Sequence, residues 1–217
     1  LRMFKNAAER EAGFYEQMIL PLLKQRNPKA RDQASATLGE LAGAGDDLIC
    51  VSGYLSRGTD EPPVLAGGDG TDTLQVRGSK HNDQIDVFTV EKVDIKLGRG
   101  FDWIRMGNVV GSGRLDGGPG GDAIDFRDYF SVDVDLEDEQ ARLNISSGNF
   151  TVKSFRNVGA KALTVDLTGD ADGNKLDAYA CRAKVRGGGG NDWLRARLWE
   201  NDDPLCDPKG AVIYGLK

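Results

Sequence analysis

The residues of this 217-residue chain best suited to chemistry are aspartates that follow glycines at a fixed distance. Gly67-Gly68-Asp69-Gly70-Thr71-Asp72-Thr73-Leu74-Gln75 fits the nonapeptide GGxGxDxUx, where U is a large aliphatic residue. So do Gly117-Gly118-Pro119-Gly120-Gly121-Asp122-Ala123-Ile124-Asp125 and Gly187-Gly188-Gly189-Gly190-Asn191-Asp192-Trp193-Leu194-Arg195. Glycines at the first, second and fourth positions let the backbone turn tightly at positive φ and expose its carbonyl oxygens toward the inside of the turn. Carbonyls and an Asp carboxylate are hard oxygen donors, and Ca²⁺ takes roughly six to eight of them. The chemistry such turns can do is cation binding.

Weaker copies fill the gaps at Gly43 to Ile49, Gly78 to Ile85, Gly98 to Ile104 and Gly169 to Leu176, the last with Asn174 where the pattern wants Asp. A fixed period of this kind signals stacked units that cannot bury their apolar faces alone. Leu74, Ile85, Ile95, Ile104, Leu115 and Ile124 recur at intervals of 9 to 11, and Leu167, Leu176, Val185 and Leu194 at intervals of 9. Each nonapeptide therefore reads as a turn and a three-residue strand xUx with U in the core, two of them to a coil. Turns on one edge then recur near 18 residues, as Asp83, Asp102 and Asp122 and then Asn174 and Asp192 approximately do. Their carboxylates would lie about 4.8 Å apart from coil to coil. Repulsion between them favours a divalent cation in the stack.

These nonapeptides resemble the RTX, or haemolysin-type, calcium-binding repeat, over roughly Ala42 to Lys217 with interruptions. The resemblance implies a mainly β protein, a right-handed parallel β-roll (β-solenoid), with Ca²⁺ as cofactor between turns one coil apart. It places the ligands at Asp47, Asp72, Asp83, Asp102, Asp122 and Asp192, with Asn174 a weaker substitute. To these it adds Asp69 and the glycine-rich turns that open at Gly67, Gly117 and Gly187. Half of the turns lack an Asp, Ala183 standing at one such position, so only some sites are expected to fill.

Around this array the chain divides into residues 1–41 and 42–217. Phe4, Ala8, Ala12, Tyr15, Ile19 and Leu22 fall at helical steps over residues 4–25, and Pro28 is suited to start a second helix running to Leu41. This short α-helical segment either caps the array or belongs to a neighbouring domain. Residues from about 129 to 161 interrupt the repeat with strand-like alternation and read as an inserted strand or hairpin. Gly215-Leu216-Lys217 reads as the opening of another repeat, so further repeats are expected beyond it. Cys50, Cys181 and Cys206 have no zinc-ligand spacing. A Cys181–Cys206 bridge would close a loop of about 25 residues, and whether it forms stays open. Cys50, after Ile49 at a strand end, reads as a buried thiol or one paired elsewhere.

Other constellations point less far. The single histidine, His81, leaves no His-based zinc site and reads as a turn residue. Asp170 to Asn174 opens like an EF-hand loop, but Lys175 and Cys181 stand where that loop needs Gly and Glu. The acidic run Asp133 to Glu139 reads as a solvated strand face and turn, not a catalytic carboxylate pair. Trp103 and Trp193 are expected to face outward, where they either stack on sugars or pack against a neighbouring loop. With 34 acidic against 28 scattered basic residues and net charge −6, nucleic acid is not an expected partner. No apolar run approaches a membrane span.

The expectation is a non-enzymatic, secreted or cell-surface bacterial module ordered by extracellular Ca²⁺, with an extracellular polysaccharide or cell-surface partner possible. The alternatives are the non-catalytic repeat region of a secreted RTX-type enzyme (protease, lipase or epimerase) and a carbohydrate-binding solenoid.

Overall fold

The computed structural model describes residues 45–55, 62–109, 111–144, 148–199, 206 and 213–216. The chain divides into Leu1–Gly43 and Ala44–Lys217, and every described residue falls in the second unit. The expected helices over residues 4–25 and 30–41 lie outside the described residues.

The described part is mainly β. It starts with short strands: β1 (Leu48–Ser52), β2 (Val64–Ala66), β3 (Thr73–Arg77), β4 (Gln84–Phe88), β5 (Lys92–Lys96), β6 (Trp103–Gly107) and β7 (Ser112–Asp116). They alternate between two stacks, β1-β3-β5-β7 and β2-β4-β6, every pair parallel. β8 (Asp122–Asp135) is long enough to serve both: its first half continues β6, and its second half pairs with β9 (Gln140–Leu143). β9 is antiparallel to both neighbours, β8 and β10 (Gly148–Lys153), and β10 returns the first stack to β7 in parallel. The interruption of the repeat is thus a strand wedged into one stack. β11 (Phe155–Thr168) and β12 (Lys175–Arg186) again span both stacks, and β13 (Trp193–Leu198) and β14 (Ile213–Leu216) pair with the two halves of β12.

Period-two alternation explains these strands. Leu74 and Val76, Ile85 and Val87, Val93 and Ile95, Ile104 and Met106, and Ile124 and Phe126 are buried in pairs. Each such side chain contributes about 1.5–3 kcal/mol by leaving water. Parallel register puts like on like: Ile85, Ile104, Ile124, Val158, Leu176 and Leu194 are successive partners across the second stack. The three-residue strand expected from xUx is therefore too short. Most repeat strands have five residues, because the residue two after U also points inward.

Two further expectations are corrected. Ala183 is not in a turn: it lies inside β12, buried beside Val165 of β11. Small inward residues, Ala178, Ala180 and Ala183, let that strand run from one stack to the other without a glycine turn. Cys50 is exposed, not buried, because Ile49 and Val51 on either side of it take the inward positions of β1. Cys181 and Cys206 are bridged, with Cα atoms 5.4 Å apart.

Candidate functional site: two carboxylate ladders

The glycine-rich turns bring the sequence-predicted aspartates into two ladders on opposite edges of the stacks. On one edge Asp83 and Asp102 precede β4 and β6, Asp122 opens β8, and Asn174 and Asp192 precede β12 and β13. On the other, Asp47 and Asp72 precede β1 and β3.

Within each ladder the side chain of one turn accepts a hydrogen bond from the backbone of the turn before it on the same edge. The Asp83 N–H donates to Asp102 Oδ1 (2.7 Å), and the Asp102 N–H to Asp122 Oδ1 (2.8 Å). The Asn174 N–H donates to Asp192 Oδ1 (3.0 Å), and the Asp47 N–H to Asp72 Oδ1 (2.9 Å). A short carboxylate at the sixth position suits this, since a backbone N–H one strand spacing away is within its reach.

These groups are deeply buried: Asp72, Asp83 and Asp122 are 0 % exposed and Asp102 is 2 %. Asp83 is satisfied at both oxygens, by the N–H of Leu55 (2.7 Å) and that of Ser79 (2.7 Å). Asp72, Asp102 and Asp122 are not, because Oδ2 of each has no hydrogen-bond partner. Burial pushes the Asp122 carboxyl up to about 6; the Asp102 N–H bond opposes this and the neighbouring Asp102 carboxylate adds to it. Asp102 is raised for the same reasons, with burial first and Asp83 as the charged neighbour.

The first glycine of the motif sits against this carboxylate. A Cβ on Gly117 would lie 2.8 Å from Asp122 Oδ2 and 2.9 Å from the Ser154 carbonyl, and one on Gly67 or Gly187 would collide with Oδ2 of Asp72 or Asp192. Across the ladder, Gly118 at φ +90° packs on the Gly98 carbonyl too closely for any side chain, so the turns themselves stack. Asp69, by contrast, is exposed, and its carbonyl accepts from the Gly45 N–H (2.8 Å).

Among the described residues no three His, Cys, Asp or Glu side chains converge as a metal-binding group. Each turn places at most one carboxylate at its sixth position, and Asp46 and Asp69 are exposed, so a cation in the ladder would take its remaining oxygens from turn carbonyls. That donor set is hard and oxygen-only, the kind that Ca²⁺ accepts and Zn²⁺ does not favour.

Sequence reasoning missed Glu91. Its Oε2 accepts from the Asp72 N–H (2.7 Å) and extends the second ladder beyond the glycine turns. The signal was its spacing: Glu91 follows Asp72 by 19 residues, as Asp102 follows Asp83. Asn157 was missed as well, and its Nδ2 donates to the carbonyls of Gly121 (2.9 Å) and Asp122 (3.2 Å) where the ladder lacks an Asp.

The other candidates take quieter places. Asp133 faces out from β8 beside Arg142 (3.8 Å), between the buried Val132 and Val134. His81 lies edge-on to Tyr54, with ring centroids 5.5 Å apart. Trp103 carries the Arg105 guanidinium at 4.9 Å, and Trp193, 44 % exposed, has Lys175 and Arg195 at 5.1 and 4.8 Å. Both face outward, packed on cations of their own sheet.

A family model described as Rv1828-like, C-terminal domain, matches residues 1–50, almost all of them outside the described residues. No curated protein and no solved structure matches the chain. No described helix is long and apolar enough to cross a membrane.

Proposed function

We propose that residues 42–217 are a calcium-ordered right-handed parallel β-roll of the RTX kind, a non-enzymatic module of a secreted or cell-surface protein. The observation that carries this is the set of orphaned oxygens, Oδ2 of Asp72, Asp102 and Asp122, each in a fully or almost fully buried carboxylate. An unpaired buried charge is among the costliest features a fold can hold, and a divalent cation removes that cost.

Asp102 and Asp122, on adjacent coils, would hold one ion together with carbonyls of the turns at residues 98–101 and 117–121. Asp72 would hold another with carbonyls of its own turn and of the turn before Asp47. Asn174 and Asp192 make a weaker pair, since the Asn side chain brings one oxygen and no charge. The ion supplies charge compensation and turn closure and takes no part in a reaction. At the affinities of extracellular modules, roughly 10⁻⁴ to 10⁻³ M, such sites fill outside a cell and not in the cytosol.

The test is calcium titration of the full chain after chelation, read by circular dichroism and thermal unfolding. The reading expects β signal and Tm to rise up to about 10 mM Ca²⁺ and Mg²⁺ to be a poor substitute. A flat response to Ca²⁺ over that range overturns it.

A further inference from the structure

The outer surface of the second stack holds a trough that takes no part in the ladders. Asp125, Gly159 and Asp177 are successive register partners on β8, β11 and β12, and the missing side chain at Gly159 opens a depression between two carboxylates. It is a cavity of about 390 Å³, in the range of small-ligand sites (roughly 300–1,000 Å³). Trp103 and Ala123 stand toward one end, and Tyr179 and Arg197 toward the other.

Its charge differs from that of the chain. The lining carries Arg127, Lys161, Lys175 and Arg197 against Asp125 and Asp177, a local excess of cations in a protein of net charge −6. The arginines are committed: Arg127 Nε donates to Asp125 (2.8 Å), and Arg197 lies 3.2 Å from Asp177, which Arg195 also holds. Burial works to raise the Asp177 carboxyl, but the bonds and charges of Arg195 and Arg197 outweigh it and hold it below the usual range. Both carboxylates thus present acceptor oxygens whose charge is already met by arginines. Lys161 and Lys175 make no ion pair among the described residues; they rest on ring faces, Lys161 on Tyr179 (5.7 Å) and Lys175 on Trp193 (5.1 Å).

We propose that this trough binds an acidic polysaccharide, a chain of carboxylate-bearing sugars laid across the strands over Gly159. Three features favour that occupant. Strands about 4.8 Å apart repeat at close to the length of one sugar ring in a 1,4-linked chain. Lys175 flanks the Asp125–Gly159–Asp177 row on one side and Lys161 on the other, matching carboxylates that alternate sides along a ribbon-like chain. The paired Asp125 and Asp177 offer acceptors for hydroxyls, and Tyr179 and Trp103 offer apolar walls for ring faces.

The site is separate from the calcium ladders, so its test runs on the full chain in about 10 mM Ca²⁺. Binding of hexagalacturonate is followed by titration calorimetry and tryptophan fluorescence, with maltohexaose as the neutral control and a six-nucleotide oligo-dT as the phosphate-polyanion control. The acidic hexasaccharide should bind and both controls fail to. The double variant Lys161→Gln/Lys175→Gln should weaken binding by roughly a hundred-fold, each lost charged contact being worth about ten-fold. Gly159→Val, whose Cβ would stand 2.8 Å from Asp125 Oδ1 and push that carboxylate off the floor of the trough, should abolish it. The lysine double variant should keep the wild-type melting curve in calcium, so loss of the trough is told apart from loss of the fold. Absence of hexagalacturonate binding, equal binding of either control, or variants that bind like wild type each overturn the proposal.

Discussion

Replacing Asp122 by Asn should stabilise the calcium-free protein, an advantage over wild type that calcium cancels or reverses. Asn keeps an Oδ1 for the Asp102 N–H and exchanges the orphaned Oδ2 for an amide without a partner, such as Asn174 Nδ2 already is on the same edge. In chelated wild type the folded carboxyl, at about 6, binds its proton more tightly than the unfolded one at 3.8. Its burial therefore costs nothing below pH 3.8, costs more as pH rises to about 6, and costs the full amount above that. At about 1.4 kcal/mol for each factor of ten, the full amount is about 3 kcal/mol. The amide left without a partner takes back about 1 kcal/mol or more, which leaves Asp122→Asn ahead by about 1–2 kcal/mol near neutral pH. At about pH 4 that advantage should vanish. With about 10 mM Ca²⁺ and a site of roughly 10⁻⁴ to 10⁻³ M, wild type gains about 1.4–2.7 kcal/mol that the variant forgoes, which cancels the variant's advantage at the weak end of that range and reverses the order at the tight end. Urea unfolding in chelator and in calcium, at both pH values, reads the whole pattern. A variant less stable than wild type in chelator at neutral pH refutes the buried-charge argument, and equal calcium stabilisation of the two proteins removes Asp122 from the proposed ligands.

Other perturbations follow from the same geometry. Gly117→Ala puts a methyl group into Asp122 and the Ser154 carbonyl and should cost about 1–3 kcal/mol in denaturant melts, whether or not calcium is bound. Tyr129→Phe leaves the buried Val109 N–H, now 3.1 Å from the Tyr129 hydroxyl oxygen, without its acceptor; the expected loss is about 1–3 kcal/mol by urea unfolding. Reducing the Cys181–Cys206 bridge reopens a 25-residue loop and should lower stability by about 3.5 kcal/mol, seen as a drop in Tm in reductant that a Cys181→Ser/Cys206→Ser variant reproduces.

The sequence displays the core more fully than the site. Leu74, Ile85, Ile95, Ile104, Leu115 and Ile124 are all buried, because an aliphatic side chain at a fixed period has one place to go. Val76, Val87 and Met106 were harder to see, since the repeat motif ends one residue short of them and only strand alternation recovers them. Similarly, Asp83, Asp102 and Asp122 were legible as one edge from their glycines and spacing, while Glu91 joins the other edge with only its 19-residue distance from Asp72, and no glycine, to mark it. The trough over Gly159 left no trace in any motif. It needs Trp103, Lys175 and Asp125, separated by up to 72 residues in sequence, to meet on one face. A spacing rule reads along the chain, and this surface is written across it.

The straight passage of β12 from one stack to the other has a further consequence. Where the early coils close both edges with carboxylate-bearing turns, β12 rounds its second edge with alanines and is tied there by Cys181–Cys206. On the proposed reading the described strands are held chiefly by ions over β1–β8 and chiefly by the disulfide, beside the weaker Asn174 and Asp192 pair, over β12–β14. Chelation should fray it from the β1–β7 side and reduction from the β12–β14 side, so one molecule would report two different features of its surroundings.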